Sequence, residues 1–191
     1  MIAGLWFIAA FVAGALGWFQ TEGTEPPIVL GVAAGLPPLA VLAALRWSPR
    51  FNQWVGTRDH GLLINLQAWR IGGFVFVALW AQGLLPAGFA LPAGIGDVAI
   101  ATTAPFVAKY APTGRIFTLW TALGILDLVT AVSLGIAHGL TDPAMAIVSR
   151  LPLSLIPTFG VPFLLVVHLL SLRTARTAKS DMLDVSCVTT V

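Results

Sequence analysis

Apolar residues along the chain come in long runs separated by polar breaks. A helix needs roughly 20 predominantly apolar residues to cross the hydrocarbon core of a bilayer. Six windows of that kind are present, at about 2–19, 27–45, 66–87, 89–110, 115–138 and 147–172. The breaks between them read QTEGTEPP, RWSPRFNQWVGTRDHG, PAG, YAPTGR and HGLTDP, and RTARTAKSDMLDVSCVTTV follows as a polar tail, residues 173–191. The pattern predicts an all-α polytopic membrane helix bundle, with six transmembrane helices in one domain covering 1–172. Residues 48–65 are too polar to span. They still carry large apolar residues, in FNQWVG and LLINLQAW, which suits either an interfacial helix or a solvated loop.

Prolines fall in the even-numbered windows: Pro37 and Pro38 in the second, Pro92 and Pro105 in the fourth, Pro152, Pro157 and Pro162 in the sixth. Each removes an intrahelical hydrogen bond. In a membrane the freed carbonyls are tolerated only where protein or a hydrated cavity satisfies them. The even helices are therefore expected to be kinked, in three hairpins of one straight and one kinked helix.

Composition narrows the class. The chain is 58% hydrophobic and 9% charged, with a mean hydropathy of +0.91. Soluble domains carry about a quarter charged residues, so an ordinary soluble protein is excluded. The net charge of +2 comes from basic residues clustered at the ends of apolar runs, not from a basic stripe interleaved with aromatics, so no nucleic-acid partner is expected. Arg46, Arg50, Arg58 and Arg70 lie in or beside the second break, Lys109 and Arg115 at the fourth, and Arg173, Arg176 and Lys179 in the tail. All nine fall on one side of a six-span model, against Glu22, Glu25 and Arg150 on the other. Because cytoplasmic loops retain Lys and Arg, both termini are expected in the cytoplasm. The first run lacks the basic start of a secretory signal and is expected to stay as an uncleaved helix. Cys187 is the single cysteine, so neither an intramolecular disulfide nor a thiolate metal site is expected.

Four residues carry candidate chemistry: Asp97, Asp127, Arg70 and His168. Asp97 shares a helical face with Ala93, Gly94, Ala101 and Ala104, and Asp127 shares one with Trp120, Gly124 and Thr130. Faces of small residues pack against other helices, which turns both carboxylates into the bundle. The midpoint of 97 and 127 is Pro112, in the turn between the fourth and fifth windows. At about 1.5 Å per residue, equal distances from that turn mean equal depth. Two carboxylates that close in low dielectric need a proton, a cation or an arginine to compensate them. Arg70 is the candidate if it lies inside the third window. The more ordinary placement, and the one expected, is a snorkelling anchor at the cytoplasmic helix end, with the span starting at Ile71.

His168 lies five residues before Arg173. A hydrogen bond to a carbonyl freed by Pro162, or to a neighbouring helix, is its more ordinary role; a ligand or proton-relay role is the alternative. His138 and His60 lie near opposite surfaces, so haem held by two histidines is not expected, and no cofactor or metal is. The motifs HExxH and GxSxG, a P-loop and Cys/His clusters do not occur.

The segments LQAWRIGG, LPAGFALPAGIGDVAIATTAPFVAKY and IPTFGVPFLLVVHLLSLR together resemble a group of small bacterial multi-pass membrane proteins. The resemblance rests on Arg70, Asp97, Pro105 and His168 and covers roughly the last two thirds of the chain. It implies the bacterial inner membrane and no particular reaction. Of three function classes, the leading expectation is a protein that binds a small ligand or ion in its bundle, transport-like, through protonatable or cation-binding Asp97 and Asp127. A structural or accessory subunit comes second, and a membrane enzyme acting on a lipid-soluble substrate third. The partners expected are the lipid bilayer and either a homo-oligomer or a larger membrane complex.

Overall fold

The computed structural model describes residues 2–21 and 25–188, with side chains as far as Arg176. Glu22 and the side chains of Lys179 and Cys187 lie outside that description. Among the described residues all regular structure is helical, with no strand. In chain order the helices are α1 (Ile2–Ala15), α2 (Ile28–Trp47), α3 (Pro49–Gly56), α4 (His60–Ala81), α5 (Ala87–Tyr110), α6 (Gly114–Gly139) and α7 (Val161–Val188). A π-turn, Ile156–Gly160, leads into α7. Among the described residues, five helices are long and apolar enough to cross a membrane: α2, α4, α5, α6 and the stretch Ile156–Arg176.

The first window is shorter as a helix than as an apolar run. α1 ends at Ala15, and the chain turns at Gly17, whose φ of +77° is a conformation that only glycine adopts readily. The sixth window also begins differently. Residues Pro143–Ser149 form a 3₁₀ turn and the long helix starts after it, at Ile156, then continues past the expected end at 172 through Val188.

The break at 48–65 is neither one interfacial helix nor a loop. Ser48 ends α2 and caps α3: its hydroxyl accepts from the Phe51 N–H at 3.2 Å, with Pro49 at the first helical position. Asp59 then caps the next helix by accepting from the Leu62 N–H at 3.0 Å. The third long helix therefore starts at His60, six residues earlier than the expected window, and everything after it lies deeper.

α4 also changes its winding. It is α-helical over His60–Asn65, 3₁₀ over Leu66–Gly73 and α-helical again over Phe74–Ala81. A 3₁₀-helix has three residues per turn, so side chains three apart eclipse. Gln67, Arg70 and Gly73 thus form one line, and all three are buried, while Trp69 between them is 66% exposed.

α5 is the central helix, packed against α4 on one side and α6 on the other. Its inner face is made of small residues, Ala90, Ala93, Gly94, Ala101 and Ala104, all buried around Asp97. Along α6 the large apolar residues Ile116, Leu119, Leu123 and Leu126 point outwards. One apolar cluster, with Phe76, Phe89 and Val148, fills the bundle near the end that holds residue 85. Another, with Ile64, Val107, Phe117 and Trp120, fills it near the turn at 111–113.

Candidate functional site

Arg70 is 1% exposed and reaches across to both neighbouring helices. Its Nε donates to Asp97 Oδ1 on α5 at 2.7 Å, and its Nη2 donates to Asp127 Oδ2 on α6. Its Nη1 donates to the Gly124 carbonyl, also on α6, at 3.1 Å. The expectation of an end anchor is thereby corrected. With α4 starting at His60, Arg70 lies ten residues inside the helix, too deep for its side chain to reach an end, and it pairs instead. The structure brings Asp97 and Asp127 to one guanidinium, as their equal spacing from Pro112 allows.

Three glycines open the space for this arrangement. A Cβ on Gly73 would run into the Asp97 carboxylate, one on Gly96 into the Asp127 carboxylate, and one on Gly124 into the His168 ring and towards Arg70 Nη1. Each polar side chain of the cluster thus sits over a position without a side chain on an adjacent helix. The sequence does contain this signal, in RIGG, GIGD and LGILD, but without a partner assignment a glycine beside an aspartate only says that something packs closely.

His168 is fully buried. Its ring lies edge-on to Trp120, with centroids 5.5 Å apart, and fills the space left by Gly124. The hydrogen bond expected from its ring to a carbonyl freed by Pro162, or to a neighbouring helix, is not made: neither ring nitrogen has a partner in the protein. The other two histidines stand apart from the cluster. His60 bonds to Thr174 Oγ1 and to the Pro112 carbonyl, and His138 lies against Gly88. Among the described residues, no group of three His, Cys, Asp or Glu side chains converges to hold a metal ion.

An apolar cavity of about 80 Å³ ends at Asp97. Phe76, Phe89, Leu128, Val132 and Val161 form its walls, and it extends towards Thr21 and Glu25. That volume admits a few waters or a small ligand, since one water needs roughly 10–15 Å³ by this measure. Asp97 is the acidic side chain on the inner wall, so whatever enters meets a carboxyl group whose other side is held by Arg70.

A family model described as Domain of unknown function (DUF8737) matches residues 27–176, and the chain belongs to that family. The matched segment contains Arg70, Asp97, Asp127 and His168. No curated protein and no solved structure matches the chain.

Proposed function

We propose that this member of the DUF8737 family is a multi-pass protein of the bacterial inner membrane that binds a small ligand or ion within its bundle, in a transport-like role. The binding centre is Arg70, Asp97 and Asp127, with His168 beside it. The observation that carries this reading is the double position of Asp97, which is paired with Arg70 and also forms the inner wall of the cavity. Two carboxylates against one guanidinium leave a formal charge of −1 in a low-dielectric interior. One further positive charge, a proton or a cation, completes the balance. Ionisable groups inside membrane helices are costly and most often mark a pathway or site. The apolar walls suit a small cation with some apolar surface of its own.

Orientation follows from the loops. With Arg70 removed from the tally, eight of the ten basic residues still belong to the breaks and tail on the side of the 111–113 turn, and Arg150 is alone at the other. That supports a cytoplasmic 111–113 turn. It also puts the cavity mouth, near Glu25, on the periplasmic side. With the shorter apolar helix α1 as the sixth crossing, both termini are cytoplasmic.

One observation favours a second reading, a structural or accessory subunit. The Arg70 contacts alone cross-link three helices, and a bond of that kind can serve only to hold them together.

The test is thermal unfolding of the purified protein in detergent with Na⁺, K⁺ and small alkylammonium ions. A site of this kind should give stabilisation by at least one of them, about 2.7 kcal/mol at a hundredfold excess over Kd. Asp97→Asn should abolish that gain while the protein remains folded. If no cation stabilises the wild type, the structural reading replaces this one.

A further inference from the structure

On the side of the Arg70 centre away from the cavity, the interior is polar in a different way. Among the described residues, six buried side-chain atoms have no hydrogen-bond partner in the protein. Five of them are Gln67 Oε1, Thr121 Oγ1, both ring nitrogens of His168 and Ser171 Oγ; the sixth, on Ser154, lies elsewhere, near Gly14. Gln67, Thr121, His168 and Ser171 are each at least nine-tenths buried.

These residues share a register across three neighbouring helices. Gln67 stands one 3₁₀ turn before Arg70, and its Nε2 donates to the Leu164 carbonyl of α7 at 3.1 Å. Thr121 stands one turn before Gly124, the residue whose missing side chain His168 fills. Ser171 and Thr174 follow His168 at one and two turns. Thr174 Oγ1 donates to the Ser171 carbonyl at 2.9 Å and lies 2.7 Å from His60 Nδ1. His60 Nε2 in turn lies 2.6 Å from the carbonyl of Pro112, in the turn at 111–113. All three helices run from the Arg70 centre towards that turn; on α7 a polar group stands at each turn from His168 to Thr174, with Gln67 and Thr121 on the neighbouring helices beside the start of that row and His60 beside its end.

Buried polar atoms are almost always hydrogen-bonded, and a site with several unbonded ones close together is the kind that holds ordered water. Hydroxyl and imidazole groups both donate and accept, which is what a relay of protons through water requires. The cavity on the other side has apolar walls and no such row.

We infer that Gln67, Thr121, His168 and Ser171 line a narrow hydrated path, entered beside His60 and the 111–113 turn, that gives protons access to the Arg70–Asp97–Asp127 centre. The proton's destination rests on the function proposed above; the path itself does not. The molecule then has two unlike approaches to one charged centre, an apolar one for a ligand and a wet one for protons.

Silver ions, which travel with water and react with thiols, test the path. In a Cys187→Ser background, single cysteines at Thr121 and Ser171 are compared with the outward-facing Leu119→Cys, with the protein in phosphatidylethanolamine and phosphatidylglycerol vesicles. Prior Ag⁺ should abolish later maleimide labelling of the unfolded protein at 121 and 171 and leave labelling at 119 intact. The unsubstituted chain supplies a second measurement: the imidazole C2 hydrogen of His168 should exchange with deuterium in the folded protein. Retained labelling at 121 or 171, or a His168 that does not exchange, overturns the path. Should a cysteine variant fail to fold, the His168 exchange decides alone. Cation stabilisation through Asp97 is read separately, so either idea can fail while the other stands.

Discussion

Replacing Arg70 with lysine keeps the charge and loses the geometry. A guanidinium presents its N–H groups as a fixed planar fork, whereas an ammonium is a point charge that cannot reach Asp97, Asp127 and the Gly124 carbonyl together. Arg70→Leu goes further and leaves two carboxylates facing each other without a cation. Removing one partner of a buried pair costs about 3–5 kcal/mol. Denaturant unfolding in detergent micelles should therefore rank wild type above Arg70→Lys, and Arg70→Lys above Arg70→Leu. A lysine variant as stable as wild type would mean that the fork is not used. The glycines give an independent check. Gly96→Ala drives a methyl group into the Asp127 carboxylate and should cost about 1–3 kcal/mol, as overpacking does. Gly72→Ala, next to the line of buried residues but facing open space, should change stability little.

At the level of elements, the line of Gln67, Arg70 and Gly73 depends on the 3₁₀ winding of α4. Inserting one alanine after Ala68 rotates Arg70 by about 120° away from Asp97. The insertion should destabilise the protein about as much as Arg70→Leu, while an insertion in the turn at 84–86 should not. Equal effects would show that α4 tolerates any phase. Much of the element pattern was legible in the sequence, because a 20-residue apolar run between polar breaks has few other structures. The equal depth of Asp97 and Asp127 followed from a count to Pro112. The start of α4 did not, because His60 and Asn65 make its first turns look polar, although the Ser48–Pro49 and Asp59 caps that set the boundary are visible. The 3₁₀ winding was not legible either: it lines up three residues for a partner on another helix, and nothing local in LQAWRIGG demands it. The unpartnered nitrogens of His168 were hidden for the same reason, since only the fold shows that Gly124 makes room for its ring.

For the whole molecule, the charge pattern predicts the orientation in the membrane. Reporter fusions after Glu25, Gly88 and Thr141 should read as periplasmic, and those after Arg58, Thr113 and Lys179 as cytoplasmic. Two or more reversed signals would remove the six-crossing arrangement and with it the sidedness of the cavity. The central claim is narrower: one arginine joins two aspartates from different helices into a single centre. A double-mutant cycle of Asp97→Asn and Asp127→Asn, read by unfolding in micelles, tests it most directly. Each single variant leaves the other carboxylate alone with Arg70, so the second substitution acts on a changed partner. A coupling energy well above roughly 0.5 kcal/mol is the expected result. Strict additivity would contradict it, because it would mean that the two carboxylates do not share Arg70.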